Sequence, residues 1–177
     1  MRVAVIGNSG SGKSTLSRQL ATLHAMPMLD LDTVAWEPGK IAVARNPDAA
    51  ARDVQVFCEA NASWVAEGCY AGLVRATLAY SPVLLFLDPG VEACLANCRS
   101  RPWEPHKYQS KQIQDQHLEF LLTWVRQYYT RSGELALAAH QALFDEYTGP
   151  KYQLTARVDA AELAQLLRSL PGHGVSR

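Results

Sequence analysis

The chain lacks any excess of charge: 17 lysines and arginines face 17 aspartates and glutamates, a formal net charge of zero. A surface that gathers nucleic acid through its overall field needs surplus cations, so only a local basic patch is left for that role. Nor is there an apolar run near the ~18 residues of a membrane span. The longest stretch, Val83 to Leu87, is far shorter. The apolar opening Val3 to Ile6 stops at Gly7 with no cleavage-site pattern behind it, so no secretory signal is expected. The four cysteines, Cys58, Cys69, Cys94 and Cys98, form no C-x-x-C pair. That argues against structural zinc and for a reduced, cytoplasmic protein. Cys94 and Cys98, four apart, read as small buried residues on one helical face. Internal repeats and long linkers are missing too, so residues 1–177 are expected to form one domain.

What is present is alternation of short apolar runs with helical periods. Arg2 to Ile6 reads as a buried strand, and Lys13 to His24 as a helix with Leu16, Leu20 and Leu23 on one face. Met28 to Leu31 is a second strand, and Pro38-Gly39 marks a loop. Asn46-Pro47-Asp48 opens a helix to about Asn61, since Asn caps and Pro fits the first turn; Val54, Phe57 and Cys58 point inward. Trp64 to Ala66 is a third strand ending at Glu67-Gly68, followed by a short helix near Gly72 to Ala79. Val83 to Leu87 is a fourth strand, and Val91 to Ser100 a helix. The segment beyond it is broken by Pro102 and Pro105 and has no clear period. Gln112 to about His140 reads as largely helical with a split at Ser132-Gly133. Lys151 to Thr155 is a fifth strand, Ala160 to Leu170 a last helix, and Pro171 to Arg177 a frayed tail. Strands alternating with helices imply right-handed crossovers, hence an α/β fold with a parallel sheet flanked by helices.

One stretch carries chemistry outright. Gly7-Asn8-Ser9-Gly10-Ser11-Gly12-Lys13-Ser14 fits G-x-x-x-x-G-K-[ST], directly after a strand and at the opening of a helix. Glycines let successive backbone N–H groups turn towards one anion, and the helix start adds its positive end. Asn8, Ser9, Gly10, Ser11, Gly12, Lys13, Ser14 and Thr15 are therefore the candidate ATP-binding residues. Lys13 is expected on the β- and γ-phosphates, and the Ser14 hydroxyl on Mg²⁺.

Such a loop binds a nucleotide without naming the acceptor, and three further places bear on that choice. Asp30 and Asp32 stand at the end of the second strand, where ligands of open α/β sheets bind. Asp32 there could orient or deprotonate an acceptor hydroxyl, or cap the segment after it. Glu67 and Asp88 end the third and fourth strands and compete as the acid that serves Mg²⁺; Asp88 could equally cap the following helix. The third place is a set of cations, Arg75, Arg99, Arg101, Lys107, Arg126 and Arg131, with Trp103, Tyr108, Trp124, Tyr128 and Tyr129 among them. Kinases use cations to neutralise a transferring phosphoryl group, so about 99–118 reads as a lid; Trp124 and Tyr128 fit packing better.

Met1 to about Arg131 resembles the adenylate-kinase-like P-loop proteins, and within them the DNA topology modulation proteins. The residues that carry this are Val3 to Thr15, Leu29 to Thr33 with Trp36 to Gly39, Glu67 to Tyr70, Val83 to Asp88, and Trp124 to Arg131. The resemblance implies a five-stranded sheet in the order 2-3-1-4-5 with a lid after strand four. It also implies Glu67 for the Mg²⁺ shell, because strand three then lies beside strand one. Two departures stand out. Nucleoside monophosphate kinases usually have Asp-Gly where this chain has Glu67-Gly68. Cys69-Tyr70-Ala71 replaces the Phe-Pro-Arg run with which adenylate kinases help hold their acceptor, so AMP is not carried over.

The expectation is a kinase that uses ATP and Mg²⁺ and passes the γ-phosphoryl group to a nucleotide or other small-molecule acceptor. Lys13, Asp32, Arg99 and Arg126 are the candidate catalytic residues, and Ser14 and Glu67 the candidate metal ligands. The alternative is a regulatory ATPase acting through a protein or DNA partner, and a binding module without turnover ranks last.

Overall fold

The computed structural model describes residues 1–37, 43–103 and 109–168, apart from the side chains of Leu166 and Arg168. The Pro38-Gly39 loop, the middle of the expected lid with Lys107 and Tyr108, and residues 169–177 lie outside the described residues. Five strands form one parallel sheet: β1 (Arg2–Gly7), β2 (Met28–Asp30), β3 (Trp64–Gly68), β4 (Val83–Leu87) and β5 (Lys151–Leu154). Their spatial order is β2-β3-β1-β4-β5. The central pairings set Val5 against Glu67 and Gly7 against Leu87. The chain leaves β1 towards β2 and later returns to the other side at β4. The carboxyl end of β1 is thus the point where the direction of winding reverses, the usual crevice of this architecture.

Period-two alternation decides the two faces. Ala4, Ile6, Trp64, Ala66, Leu84 and Phe86 pack into one layer with α3 (Pro47–Ala60), α4 (Ala71–Leu78) and α8 (Leu137–Glu146). Val3, Val5, Val65, Val83 and Leu85 pack into the other, against α1 (Lys13–Leu23) and α9 (Ala160–Arg168). Val3 through Ile6 are all 0% exposed. Each large apolar side chain so buried contributes roughly 1.5–3 kcal/mol, and Phe86→Ala is expected to cost ~3–5 kcal/mol. The remaining helices are α2 (Asp32–Ala35), α5 (Val91–Arg99), α6 (Lys111–Gln116) and α7 (Leu118–Gln127). A third apolar cluster joins α5 to α7 through Cys94, Leu95, Cys98, Leu122 and Val125.

Several helix signals act as the sequence implies. The Asn46 side chain accepts from the N–H groups of Asp48 and Ala49 with Pro47 in the first turn. Asp159 accepts from Ala161 and Glu162, and Ser110 from Ile113. Phe57 is half-buried against Trp64, ring centroids 6.4 Å apart.

Two expectations are corrected. Leu23 is 53% exposed: the buried stripe of α1 ends at Leu20. Met26 enters the core in its place, returned by Ala25 in the left-handed region (φ 48°) with its N–H bonded to Ala21. The expected long helix from Gln112 to His140 is three helices. His117 ends α6 and opens α7. Residues 128–136 turn through Gly133 at φ 91°, the break foreseen at Ser132-Gly133. Beyond it α8 continues past His140 to Glu146.

Candidate active site

The loop from Gly7 to Ser14 leaves the end of β1 and enters α1. Gly12 stands before the helix at φ 92°, with no side chain capping the first turn. Its backbone N–H groups are left for an anion, and an added Cβ would still leave the conformation strained. Gly10, at φ 79°, is pressed by α5: a Cβ there would strike the Cys94 carbonyl oxygen and stand 2.7 Å from the Cys98 sulfur. Asn97 fixes the same contact by donating to the Gly10 carbonyl at 2.8 Å. Cys94 and Cys98 are buried, so the pair four residues apart is the seat of the loop. Among the described residues no group of three or more His, Cys, Asp and Glu could hold a metal.

The eight candidate loop residues do not all face the same way. Ser9 through Thr15 line a cleft of about 960 Å³ at the carboxyl edge of the sheet. The Ser11 hydroxyl in that lining is 7% exposed and has no protein partner. Asn8 instead turns its buried side chain away and donates to the Val125 carbonyl of α7 at 3.0 Å. Its own carbonyl accepts from the Lys13 ammonium at 3.4 Å.

Glu67 lies at the end of β3, beside the loop, and is 2% exposed. Ser14 stands next to its carboxylate. Burial raises its pKa above the usual carboxylate range; Lys13 and Ser14 oppose that, and Asp30 and Asp32 add to it. Hydroxyl, carboxylate and ammonium thus stand together where a phosphate-bound divalent cation would need oxygen ligands. That small protein donor set suits Mg²⁺, which keeps waters and phosphate oxygens for the rest of its shell. Asp88 also ends a strand beside β1, but it does not line the cleft; its carboxylate accepts from the Tyr129 hydroxyl at 3.1 Å.

The opposite wall is assembled from distant segments. β2 stops at Asp30, so Asp32 falls in the first turn of α2 and not on an extended strand. Asp30 explains the stop, because its carboxylate accepts from the Asp32 N–H at 3.0 Å. Both aspartates line the cleft with Glu67 and Cys69. The Tyr70 hydroxyl donates to Asp32 Oδ1 at 2.8 Å, and Trp36 Nε1 donates to the Tyr70 oxygen at 2.7 Å. Behind this wall, His140 Nε2 donates to the Cys69 carbonyl and Tyr128 donates to His140 Nδ1, both at 2.8 Å. Burial holds the His140 pKa down at about 4, which keeps the ring neutral. Burial also pushes the Cys69 thiol up to about 11, so it is not a ready nucleophile.

The cations divide. Arg101, Arg18 and Arg157 line the cleft, as does Trp103. Arg99 faces a smaller recess with Gln114, Asp115 and Leu118, and Arg126 is exposed on α7, outside the cleft lining. Arg75 pairs with Glu146. Arg131 lies 3.7 Å over the Trp124 ring and donates to the carbonyls of Leu135 and Trp124, so it braces the turn. The described part of the expected lid contains α6 and no strand.

The sequence reading missed Tyr70 with Trp36, and His140 with Tyr128. Tyr70 had one signal, its place where the adenylate kinases keep another motif. His140 had none, since its partners are remote in the chain.

No family model matches the chain, and no curated protein matches it. Solved structures do. A shikimate kinase from Bacteroides thetaiotaomicron superposes with a TM-score of 0.54 at 14% identity, over 95% of this chain and 96% of that one. A sugar kinase from Janibacter sp. gives 0.53 at 13% identity, over 95% and 92%. The YorR protein of Bacillus subtilis, in complex with phosphorylated GDP, gives 0.53 at 10% identity, over 94% and 93%. At such identities the likeness establishes the fold, that of the P-loop kinases. No helix among the described residues is long and apolar enough to cross a membrane.

Proposed function

We propose that this protein is a phosphotransferase that uses ATP with Mg²⁺ and passes the γ-phosphoryl group to a small-molecule or nucleotide acceptor. The observation that carries the reading is the buried Glu67 carboxylate beside Ser14 and Lys13, at the mouth of an uncapped helix. Ser9 to Thr15 cradle the phosphates, with Asn8 contributing through its backbone. Ser14 and Glu67 hold Mg²⁺, whose charge offsets that of the phosphates. Lys13 supplies a positive charge to the transferring group, and Asp32 faces the acceptor. Arg101 is the lid-segment arginine already in the cleft wall. For Arg99 and Arg126 to serve the same end, the stretch at about 99–118 must move over the cleft as a lid. The zero net charge and the absence of a membrane-length helix among the described residues suit an acceptor in solution within the cytoplasm. The printed functions of the similar solved structures, two of them kinases, favour this reading. The narrower resemblance to the DNA topology modulation proteins supplies no reaction of its own.

The test is ADP release from ATP·Mg²⁺ with a panel of sugars, polyols, nucleosides, nucleoside monophosphates and small acids, beside a Lys13→Ala control. Acceptor-dependent release that the control loses is the expected result. Slow release indifferent to every acceptor would sink the kinase reading in favour of a regulatory ATPase.

A further inference from the structure

The sheet holds the phosphate loop against the opposite wall only as far as Ile6 and Gly68, the last pair in the register of β1 and β3. Asn8 and Cys69 lie beyond that ladder. A different set of bonds joins them, through the last turn of α7. The Asn8 amide nitrogen donates to the Val125 carbonyl at 3.0 Å, and the Tyr128 N–H donates to the same oxygen at 3.4 Å. From Tyr128 the chain continues through its side chain. The hydroxyl bonds His140 Nδ1 at 2.8 Å, and His140 Nε2 bonds the Cys69 carbonyl at 2.8 Å. The directions are fixed. A carbonyl only accepts, so Nε2 carries the proton; the neutral ring then accepts at Nδ1, and Tyr128 donates. Phe86 and Tyr128 flank the ring, with centroids 6.2 Å and 5.2 Å from it. The Tyr128 carbonyl also takes the Leu137 N–H at the start of α8, the helix that carries His140. Asn8, Val125, Tyr128 and His140 are all buried, and Asn8 Oδ1 has no protein partner among the described residues. Among those residues, the bond to Val125 is what offsets burial of the Asn8 amide.

We propose that Asn8, Tyr128 and His140 are positioning residues of a single strut, which sets the spacing between the loop that holds the phosphoryl donor and the wall that faces the acceptor. This rests on the kinase reading above and adds how its two sites are kept in register. Two further contacts mark α7 and the turn after it as the common frame. On the floor side, Gly10 is seated on α5, which packs on α7 through Cys94, Cys98, Leu122 and Val125. On the wall side, Glu134 accepts from the Ala71 N–H through its carbonyl and from the Gly72 N–H through its carboxylate. The corner after Cys69 is thus held again from the same segment. Transfer needs the attacking oxygen about 3–3.5 Å from the phosphorus, and a misplacement of about 1 Å can cost roughly a hundredfold. In the step itself the acceptor oxygen forms a bond to the γ-phosphorus. The bond from that phosphorus to the β,γ-bridging oxygen breaks, and its electron pair leaves with ADP. Any proton on the attacking oxygen goes to solvent. Water entering a widened gap follows the same course and gives inorganic phosphate, ADP and a proton. The strut therefore governs the share of ATP lost to water, although none of its three side chains lines the cleft.

Two measurements on the full chain test this. The first is amide hydrogen exchange without ligand, read by NMR for the parent and Asn8→Ala. The Asn8 amide bonds α7 and not the corner. A strut nevertheless predicts exchange at Ala71 and Gly72 about fivefold faster, with the β4 amides, which report global opening, within about twofold of the parent. Equal acceleration at both places, or none at the corner, overturns the strut. The second measures acceptor product and inorganic phosphate together for Asn8→Ala, Tyr128→Phe and the double variant, with an acceptor taken from the panel above. Each single variant is expected to lower kcat about tenfold, to leave both KM values within about threefold, and to raise the inorganic-phosphate share of the ADP released. The double variant is expected within about twofold of the slower single one, because a strut broken at one end has little left to lose. Losses that multiply overturn the proposal, since they mean two local braces. So do losses confined to the KM for ATP in Asn8→Ala and to the KM for the acceptor in Tyr128→Phe. Should the parent give no acceptor product, the kinase reading fails and the partition with it, while the exchange experiment still decides the strut.

Discussion

Six consecutive residues, Ser9 to Ser14, make the floor of the cleft. The facing wall joins Asp32 to Tyr70 across 38 positions and Trp36 to Tyr70 across 34. The floor is made by backbone: glycine dihedrals, an uncapped helix and a seat on Cys94 and Cys98. The wall is made by side chains whose positions depend on how β2 and β3 lie together. Local backbone geometry can be encoded in a short run of residue types, while a hydrogen-bond chain between segments exists only once the sheet has formed. The two regions should therefore fail differently when altered.

The largest effect belongs to the floor. Lys13→Ala removes the ammonium that bonds the Asn8 carbonyl, and kcat is expected to fall ~10³-fold. Thermal stability should barely change, because the half-buried side chain holds the Asn8 carbonyl only at a long 3.4 Å. A loss under tenfold would mean that the floor only binds, and that the transferring charge is met from elsewhere.

Next comes the backing of the wall, where stability is at issue. His140 titrates near 4 when folded and near its ordinary 6.5 when unfolded. Between those values the unfolded chain binds more protons, so stability is complete above about pH 6.5 and falls as acid is added, by roughly 3 kcal/mol at pH 4. Urea midpoints measured from pH 8 to pH 4 check this. His140→Gln should flatten the slope in that window whatever its absolute stability, and an unchanged slope would assign the acid sensitivity to other groups.

The third test sits on the seam between floor and wall. Glu67→Gln is expected to lower kcat about 10²-fold and raise the Mg²⁺ concentration needed for half-maximal rate. Asp88→Asn, which alters only the partner of Tyr129, should leave that requirement where it was. The reverse pattern would transfer the metal to the fourth strand.

This division also marks how far the sequence could be read. The strand order was implied by the resemblance, and the apolar runs Val3 to Ile6 and Val83 to Leu87 marked strands without saying which side chain meets which face. The phosphate loop was legible because its chemistry is contiguous. Asn8 shows the limit of that: its type fits the motif, yet its side chain braces α7. Asp32 lines the cleft, though from the first turn of α2 and not from the strand on which it was expected, which ends two residues earlier. Period-two reasoning cannot see Asp30 turn back to hold the Asp32 N–H. The hydrogen bonds of Tyr70 and His140 were invisible for a different reason, since each is made to partners brought by other elements. Glu67 and Asp88 were indistinguishable from β-branched runs and terminal acids alone. In the structure the Asp88 carboxylate accepts from Tyr129, while Glu67 lines the cleft.

The smallest expected effect concerns the cations, where the wall is least complete. Arg101 is half-buried in the cleft lining, while Arg126 is exposed on α7 beyond it. An arginine that meets the transferring group at a partly solvated edge is worth less than a buried donor, so Arg101→Ala should lower kcat about tenfold. Arg126→Ala should stay within about twofold, because a solvated side chain on the outer face of a helix has nothing in the cleft to lose. Steady-state rates at saturating ATP separate the two. If Arg126→Ala proved the more damaging, α7 itself would have to travel towards the phosphates. The Asn8 bond to the Val125 carbonyl would then be a tether between floor and moving wall, and Asn8→Ala should change the rate in the same experiment. If Arg101→Ala alone is damaging, the short stretch after α5 suffices to meet the charge, and α7 is part of the frame against which it closes.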